Sequence, residues 1–401
     1  MLIDTNGRQL NQTPAPGSAF KVTNIGAGQS RSELSRQWIA RPHDQRFLKL
    51  SDLYAAVKGR ADSAKETRIE NRKLEFITPD ITDAGSMQEL RVGLPNGEDF
   101  AMSHWAFGQL CNLTKSPAGF MRELPSQLVA DILSTRMLRR EREEVKAYST
   151  DKELLAMTGP DYGRIYDHEV VKAVMDFTDN GQGTWKIPGV MDWSTMIYDP
   201  HHPVTPQTTT LFASDRDVFI FLVDGLHPIQ VGLTKDGEPD MMFRGFYMKN
   251  SEVGSSALTL AAFYLRGICC NRIMWGVEGF EEITIRHTRF APERFLETAR
   301  PALKSFAEGS SEKLIEGVQK AKQARLAKND DEAIDFLQAR KFSKSKAAEI
   351  IEASEREEGR KPRTAWDFAQ AITAVARNVP YTDERLTMEL EAKKILDKVA
   401  A

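Results

Sequence analysis

The sequence predicts an α+β protein: a central, mainly antiparallel sheet with a buried helix, flanked by an N-terminal helical subdomain and a helical C-terminal region. Three observations lead there. Residues 144–250 carry short alternating or wholly apolar runs separated by turn residues, and residues 103–140 carry capped runs at helical spacing. From Ala291 onward the chain keeps a helical pattern to its end. The chain divides on this reading into a flexible arm (1–30), a basic N-terminal and helical subdomain (31–143), an α+β core (144–290) and a helical C-terminal region (291–401).

Residues 1–30 are rich in Gly, Pro, Ser, Thr and Asn, with too few large apolar side chains to offset ordering entropy. SDLYAAVKGRA, near residue 55, reads as a short amphipathic helix. SHWAFGQLCNL, SPAGFMREL and PSQLVADILSTRMLRR read as three successive helices, the last ending in a cationic turn that suits the negative helix terminus. EVKAYST and KELLAMT are strands, GPDYG a turn, and His168–Phe177 a helix. DVFIFLVD is apolar on both alternating faces and so must be covered on both sides. MMFRGFYMKNS extends as another strand, and Ser255–Asn271 reads as a mostly buried helix. EEITIRH is strand-like, and TAWDFAQAITAVARNV and DERLTMELEAKKILDKV close the chain as capped amphipathic helices.

Composition bounds the chemistry. The net charge of −3 hides a gradient, with 12 basic against 7 acidic residues over 21–75 and 10 against 17 over 151–280. Segment 281–401 mixes 23 basic with 22 acidic residues, as solvated, salt-bridged helices do. No uncharged apolar run reaches the roughly 18 residues of a spanning helix, and the N-terminus lacks a signal pattern, so a cytoplasmic protein with no membrane partner is expected. Cys111, Cys269 and Cys270 lack metal-ligand spacing, and the adjacent pair reads as packing rather than nucleophile. P-loop, HExxH and GxSxG patterns are absent; GAGQS at 26–30 follows no strand, and His201-His202 sits in a proline-flanked loop. The expectation is a non-enzyme with no cofactor and no metal.

Three local features rise above this background, each with two readings. Tyr162, Arg164 and Tyr166 stand at a turn and strand edge, where aromatics beside arginine suit base stacking and phosphate pairing or are ordinary half-buried strand residues. Arg244, Tyr247, Lys249 and Asn250 end a strand that runs into an expected helix N-terminus, a phosphate dock or simply a cap. Arg266 lies inside the apolar ALTLAAFYLRGICCNR, where its charge must reach an acid, a carbonyl or a ligand.

Three segments carry a family resemblance: NSEVGSSALTLAAFYLRGICCNRIMWG, MSHWAFGQLCNLTKSPAGFMRELP and TAWDFAQAITAVARN, together spanning roughly residues 100–380. They resemble a phage- and plasmid-type family with a domain of unknown function. The chain departs from that pattern at Arg272-Ile273, where Gly-Met follows the asparagine in the family. The resemblance implies a mobile-element setting and no settled activity. The order of elements also resembles, more loosely, the single-strand annealing proteins of the RecT, Red-beta and Rad type.

The leading expectation is therefore a single-stranded DNA-binding and annealing protein of recombination or replication that needs no ATP and works as a homo-oligomer, with possible phage or host replication proteins as partners. Tyr162, Arg164, Arg244, Tyr247, Lys249, Asn250, Arg266, Asn271 and Arg272 would form its DNA groove. The alternative is a protein-interaction, host-takeover factor. A hydrolase or nuclease comes third, with Asp215, Asp217 and Asp224 as its acids.

Overall fold

The computed structural model describes residues 20–21, 42–78, 89–139, 144–187, 190–191, 198–199, 203–206, 209–234, 237–266, 272–273, 282–376, 379 and 382–400. Apart from Phe20–Lys21 the expected arm lies outside the described residues, as do His201-His202, Cys269, Cys270 and Asn271.

The first elements are β1 (Phe20–Lys21), β2 (Arg46–Phe47) and helix α1 (Leu50–Asp62), which buries Leu50, Leu53 and Val57 along one stripe. Then come β3 (Lys65–Glu70), β4 (Glu75–Ile77), β5 (Glu89–Gly93) and β6 (Asp99–Met102). Ser103 turns the chain: its hydroxyl accepts from the Ala106 amide at 3.0 Å and caps α2 (His104–Leu113). α3 (Ala118–Met121) and α4 (Ser126–Leu138) each start directly after a proline. β7 (Glu144–Ser149) and β8 (Glu153–Thr158) complete a sheet of order β1-β5-β6-β8-β7-β3, with β4 on β5. Its β6–β8 pair is parallel and its other pairs are antiparallel. The three expected helices pack on this sheet around Phe100, Phe107, Leu110, Val129, Leu133 and Val145. β7 and β8, which lie beyond the 143/144 boundary, pair in this first sheet.

After α5 (Asp167–Phe177) come β9 (Trp185–Lys186) and the separate pair β10 (Val190–Met191) and β11 (Tyr198–Asp199). β12 (Leu211–Ala213), β13 (Val218–Asp224), β14 (Ile229–Leu233), β15 (Pro239–Asn250), β16 (Leu258–Arg266), β17 (Arg272–Ile273) and β18 (Glu282–Ile285) build the second sheet. Its order is β17-β16-β15-β13-β12-β2, with β14 on β15, β18 on β16 and β9 on β13. β13 is buried at every residue, as an apolar run on both faces requires. Val218, Ile220 and Leu222 join the main core, while Phe219 stacks on Tyr247 with ring centroids 5.8 Å apart.

The helix expected over Ser255–Asn271 is a correction. Leu258–Arg266 is instead strand β16, in register with β15 from Met242↔Arg266 to Lys249↔Thr259. An apolar run without polar gaps fits a buried helix and a buried strand equally, so periodicity had nothing to separate them. Three partner strands and the covered face decide it, placing Leu258, Leu260, Ala262 and Tyr264 in the main core. Between β15 and β16 the chain makes a turn, with Gly254 at φ +84° and the Gly254 amide donating to Ser251 O at 3.0 Å.

The C-terminal region is helical, as expected: α6 (Ala291–Arg294) runs through a π turn at Phe295–Ala299 into α7 (Arg300–Glu308), followed by α8 (Glu312–Gln323), α9 (Asp330–Gln338), α10 (Lys344–Glu358), α11 (Ala365–Ala376) and α12 (Thr382–Ala400). The wholly buried helix is α11, with all of its residues out of solvent between α8, α10 and α12. Asp367 accepts from the Arg363 and Thr364 amides at 3.1 and 3.0 Å and pairs with Arg360, closing that helix's first turn. No helix among the described residues is long and apolar enough to cross a membrane.

Candidate functional site

The two sheets meet where the 159–166 segment, which enters α5, crosses the turn after β15. Tyr148, Leu155, Ala156 and Val253 make a small apolar cluster there. Around it lies a buried charge network. The Asn250 amide donates to Ile165 O and to Asp167 Oδ1, both at 2.8 Å. Arg60 reaches Asp167 at 3.3 Å and Glu252 at 3.4 Å, and the Asp167 amide donates to Glu252 Oε2 at 3.1 Å. Arg164 donates to Glu66 at 2.9 Å and to the Glu252 carbonyl, with its guanidinium 4.3 Å from the Tyr148 ring centre. Lys146 pairs with Glu66 at 3.0 Å. Burial, and then the neighbouring Glu252, hold the Asp167 carboxyl well above the usual aspartate range. Three cations (Arg60, Lys146, Arg164) thus meet three acids (Glu66, Asp167, Glu252), with Arg164, Asp167 and Glu252 buried and Arg60, Lys146 and Glu66 half-buried. The arrangement joins the sheets, and each of its cations already faces an acid.

The residues singled out from sequence separate into several places. Tyr162, Arg164 and Asn250 come together, the last two inside this network. Arg244 is buried, and its Nη2 donates to Gly309 O at 2.6 Å, where its charge complements the negative end of α7. Along β15 side chains alternate, so Arg244 and Asn250 face one side and Tyr247 and Lys249 the other. Lys249 stands opposite Phe219 on β13 and Thr259 on β16. Arg266 ends β16 opposite Met242, and Arg272 on β17 faces Leu265. The helix N-terminus expected after Asn250 is replaced by the turn, with Asn250, Ser251 and Glu252 buried, so no helix end offers amides to a phosphate there.

A concave site lies on the outer side of the same 159–163 segment. A cavity of about 490 Å³ is lined by Gly159, Asp161, Tyr162, His287, Thr288, Arg289 and Phe290. Tyr162 and His287 stack with centroids 5.0 Å apart and planes at 18°. The segments are tied by the Gly163 amide donating to His287 O at 3.3 Å and by His287 Nδ1 donating to Gly163 O at 3.1 Å. They run so close that a Cβ on Gly163 would sit 2.0 Å from Thr288 O, which leaves room only for glycine. Burial pushes His287 down to about 4, so its ring is neutral at pH 7, and burial pushes the Tyr162 phenol up. Phe290 is 62% exposed, with the Arg289 guanidinium 5.8 Å from its ring centre. Arg286 and Arg294 are exposed on either side. Of these residues sequence reasoning found only Tyr162; the signal for the others was the basic-aromatic run RHTRF at 286–290. Among the described residues no group of three or more His, Cys, Asp or Glu is placed to hold a metal ion.

Residues 159–391, more than half of the chain, match the family described as Domain of unknown function (DUF932). The chain belongs to the DUF932 family. The DUF932 match begins at Gly159, the first residue of the cavity, and takes in RHTRF, β9 to β18 and the helices through α11. Two of the three segments that carried the resemblance, NSEVGSS onward and TAWDFAQ onward, fall within it; the α2–α3 segment precedes it. No curated protein and no solved structure matches the chain.

Proposed function

We propose that this protein binds single-stranded DNA at the Tyr162–His287–Phe290 cavity and acts, as a homo-oligomer and without ATP, in strand annealing during recombination or replication. The observation that carries the reading is the exposed Phe290 beside Arg289, in the cavity that the Tyr162–His287 stack also lines. Unpaired bases present π faces that aromatic side chains hold at roughly 1–3 kcal/mol each. Arginine supplies the phosphate contact. Arg286, Arg289 and Arg294 take over the role that Arg164, Arg244 and Asn250 do not have free to give. Base pairing drives annealing, which is why no nucleotide-hydrolysing loop is needed. The mobile-element setting implied by the family resemblance fits such a role.

Titrating a labelled oligonucleotide at two salt concentrations tests this. Three arginines on a single strand give a slope of log K against log salt of about −2. Binding that ignores salt, or that prefers duplex, rules the proposal out. A second reading has its own observation: Leu296, 59% exposed, stands near Phe290 in the chain. If both anchor a protein partner, Phe290→Ala and Leu296→Ala abolish that complex equally, whereas DNA binding responds to Phe290 alone.

A further inference from the structure

A second cluster is centred on α2 and α3, ahead of the DUF932 match, where the buried Arg122 has no carboxylate within ion-pair distance among the described residues. Arg122, at the end of α3, is 8% exposed, and its guanidinium lies along one stripe of α2. Its Nη2 donates to His104 Nε2 at 3.2 Å, its carbon stands 5.4 Å from the Phe107 ring centre, and a Cβ on Gly108 would be 3.7 Å from Nη2. His104, Phe107, Gly108 and Cys111 recur at the three- and four-residue spacing of one helix face.

Every neighbour on that stripe is neutral. Burial, with the charges of Arg122 and Arg216 adding to it, pushes His104 down to about 3, so its ring stays uncharged. Burial pushes the Cys111 thiol up to about 12, so it is no thiolate partner either. Arg122 Nε is buried with no hydrogen-bond partner, and no carboxylate lies within ion-pair distance of Arg122 among the described residues. A further charge near α2 has the same sign: Arg216, half-buried in the loop before β13 and 3.7 Å from Asp215, accepts at its carbonyl from Ser255 at 3.3 Å, in the turn whose Val253 O takes the Trp105 indole N–H of α2 at 2.9 Å. His104 is also the first residue of the ten-residue α2, whose N-terminal end is positive.

A buried guanidinium beside a helix N-terminus, with an orphaned N–H and a second cation's charge acting on it, is destabilising for the chain alone. It suits a ligand that brings negative charge and several acceptors. We propose that Arg122, Arg216 and the first turn of α2 form a binding site for a tetrahedral oxyanion of the phosphate class. Arg122 offers N–H groups, Arg216 supplies the second charge, and neutral His104 fixes the Arg122 guanidinium by accepting a hydrogen bond from its Nη2–H.

The site is independent of the DNA-binding reading, since it shares no residue with the cavity at Phe290. The test is thermal unfolding of the full chain in inorganic phosphate, against chloride at equal ionic strength. A saturable rise in Tm with phosphate is expected, and its absence overturns the proposal. Arg122→Met removes the orphaned charge while keeping an unbranched apolar stem: it is expected to abolish the phosphate response and leave the phosphate-free Tm equal or higher. A response that persists in R122M, or a lowered Tm with an intact response, overturns it. Should R122M fail to fold, Arg216→Gln decides, with phosphate affinity at least threefold weaker expected and unchanged affinity contradicting. A short oligonucleotide with a 5′-phosphate, compared with its 5′-hydroxyl twin, separates the sources. Competition by the phosphorylated one alone assigns the site to a nucleic-acid end, and competition by neither assigns it to free phosphate. Phe290→Ala leaves all of these responses intact.

Discussion

Gly163→Ala is the sharpest perturbation of the cavity. The added methyl meets Thr288 O at 2.0 Å, a backbone atom that no rotamer change removes. The 159–163 and 286–290 segments must part, and the two hydrogen bonds between Gly163 and His287 go with them. Each bond is worth about 1 kcal/mol net, and forced displacement in a packed region adds about 1–3 kcal/mol. The variant is therefore expected to lose roughly 3–5 kcal/mol of stability in urea denaturation. Because the Tyr162–His287 stack depends on the same closure, oligonucleotide affinity should fall at least tenfold under conditions where the protein remains folded. Gly119→Ala is the control: open space surrounds that helical glycine, and the change should be neutral or stabilising by up to about 1 kcal/mol. A G163A protein as stable as wild type, with unchanged binding, would refute the claim that the close approach of these segments builds the site.

Other expectations follow from the same geometry. Asn250→Ala leaves Ile165 O and Asp167 Oδ1 without a buried donor, so a loss of about 2–4 kcal/mol is expected in the same denaturation assay; a loss under 1 kcal/mol means the network does not join the sheets. Glu153 is raised to about 7 by burial and then by Asp215, above its ordinary value of 4.5. A carboxyl raised on folding favours the protonated folded chain, so stability falls as pH rises from about 4.5 to about 7 and stays lower above it. Glu153→Gln should flatten that part of the pH–stability profile and gain relative to wild type at pH 8; an unchanged profile contradicts the assignment. Arg289→Gln should weaken single-strand binding and reduce the salt slope by about 0.7, measured by anisotropy. Phe290→Ala should weaken binding while leaving that slope unchanged.

The elements with unambiguous end signals were legible from sequence. Ser103 before a helical run, the Thr364–Asp367 capping pattern and the aromatic-rich β13 each state their own conformation locally. Legibility failed at β16, where Leu, Ala, Phe and Tyr fill seven of nine positions and the decision rests on pairing with β15, β17 and β18. That one reversal removed the supposed helix N-terminus beside Asn250. The candidate site was half visible: Tyr162 stood out, but its partner His287 lies far along the chain, and only the folded backbone brings them within stacking distance. The buried balance of Arg164 against Glu66 is equally non-local, so sequence offered the cation without the acid that occupies it.

The most direct measurement of where DNA lies is photocrosslinking of a bromouracil-substituted single strand, with adducts mapped by mass spectrometry. Adducts on Phe290, Tyr162 or His287 that disappear in high salt are the predicted result. Adducts confined to other surfaces, with the 159–163 and 286–290 segments untouched, would contradict it.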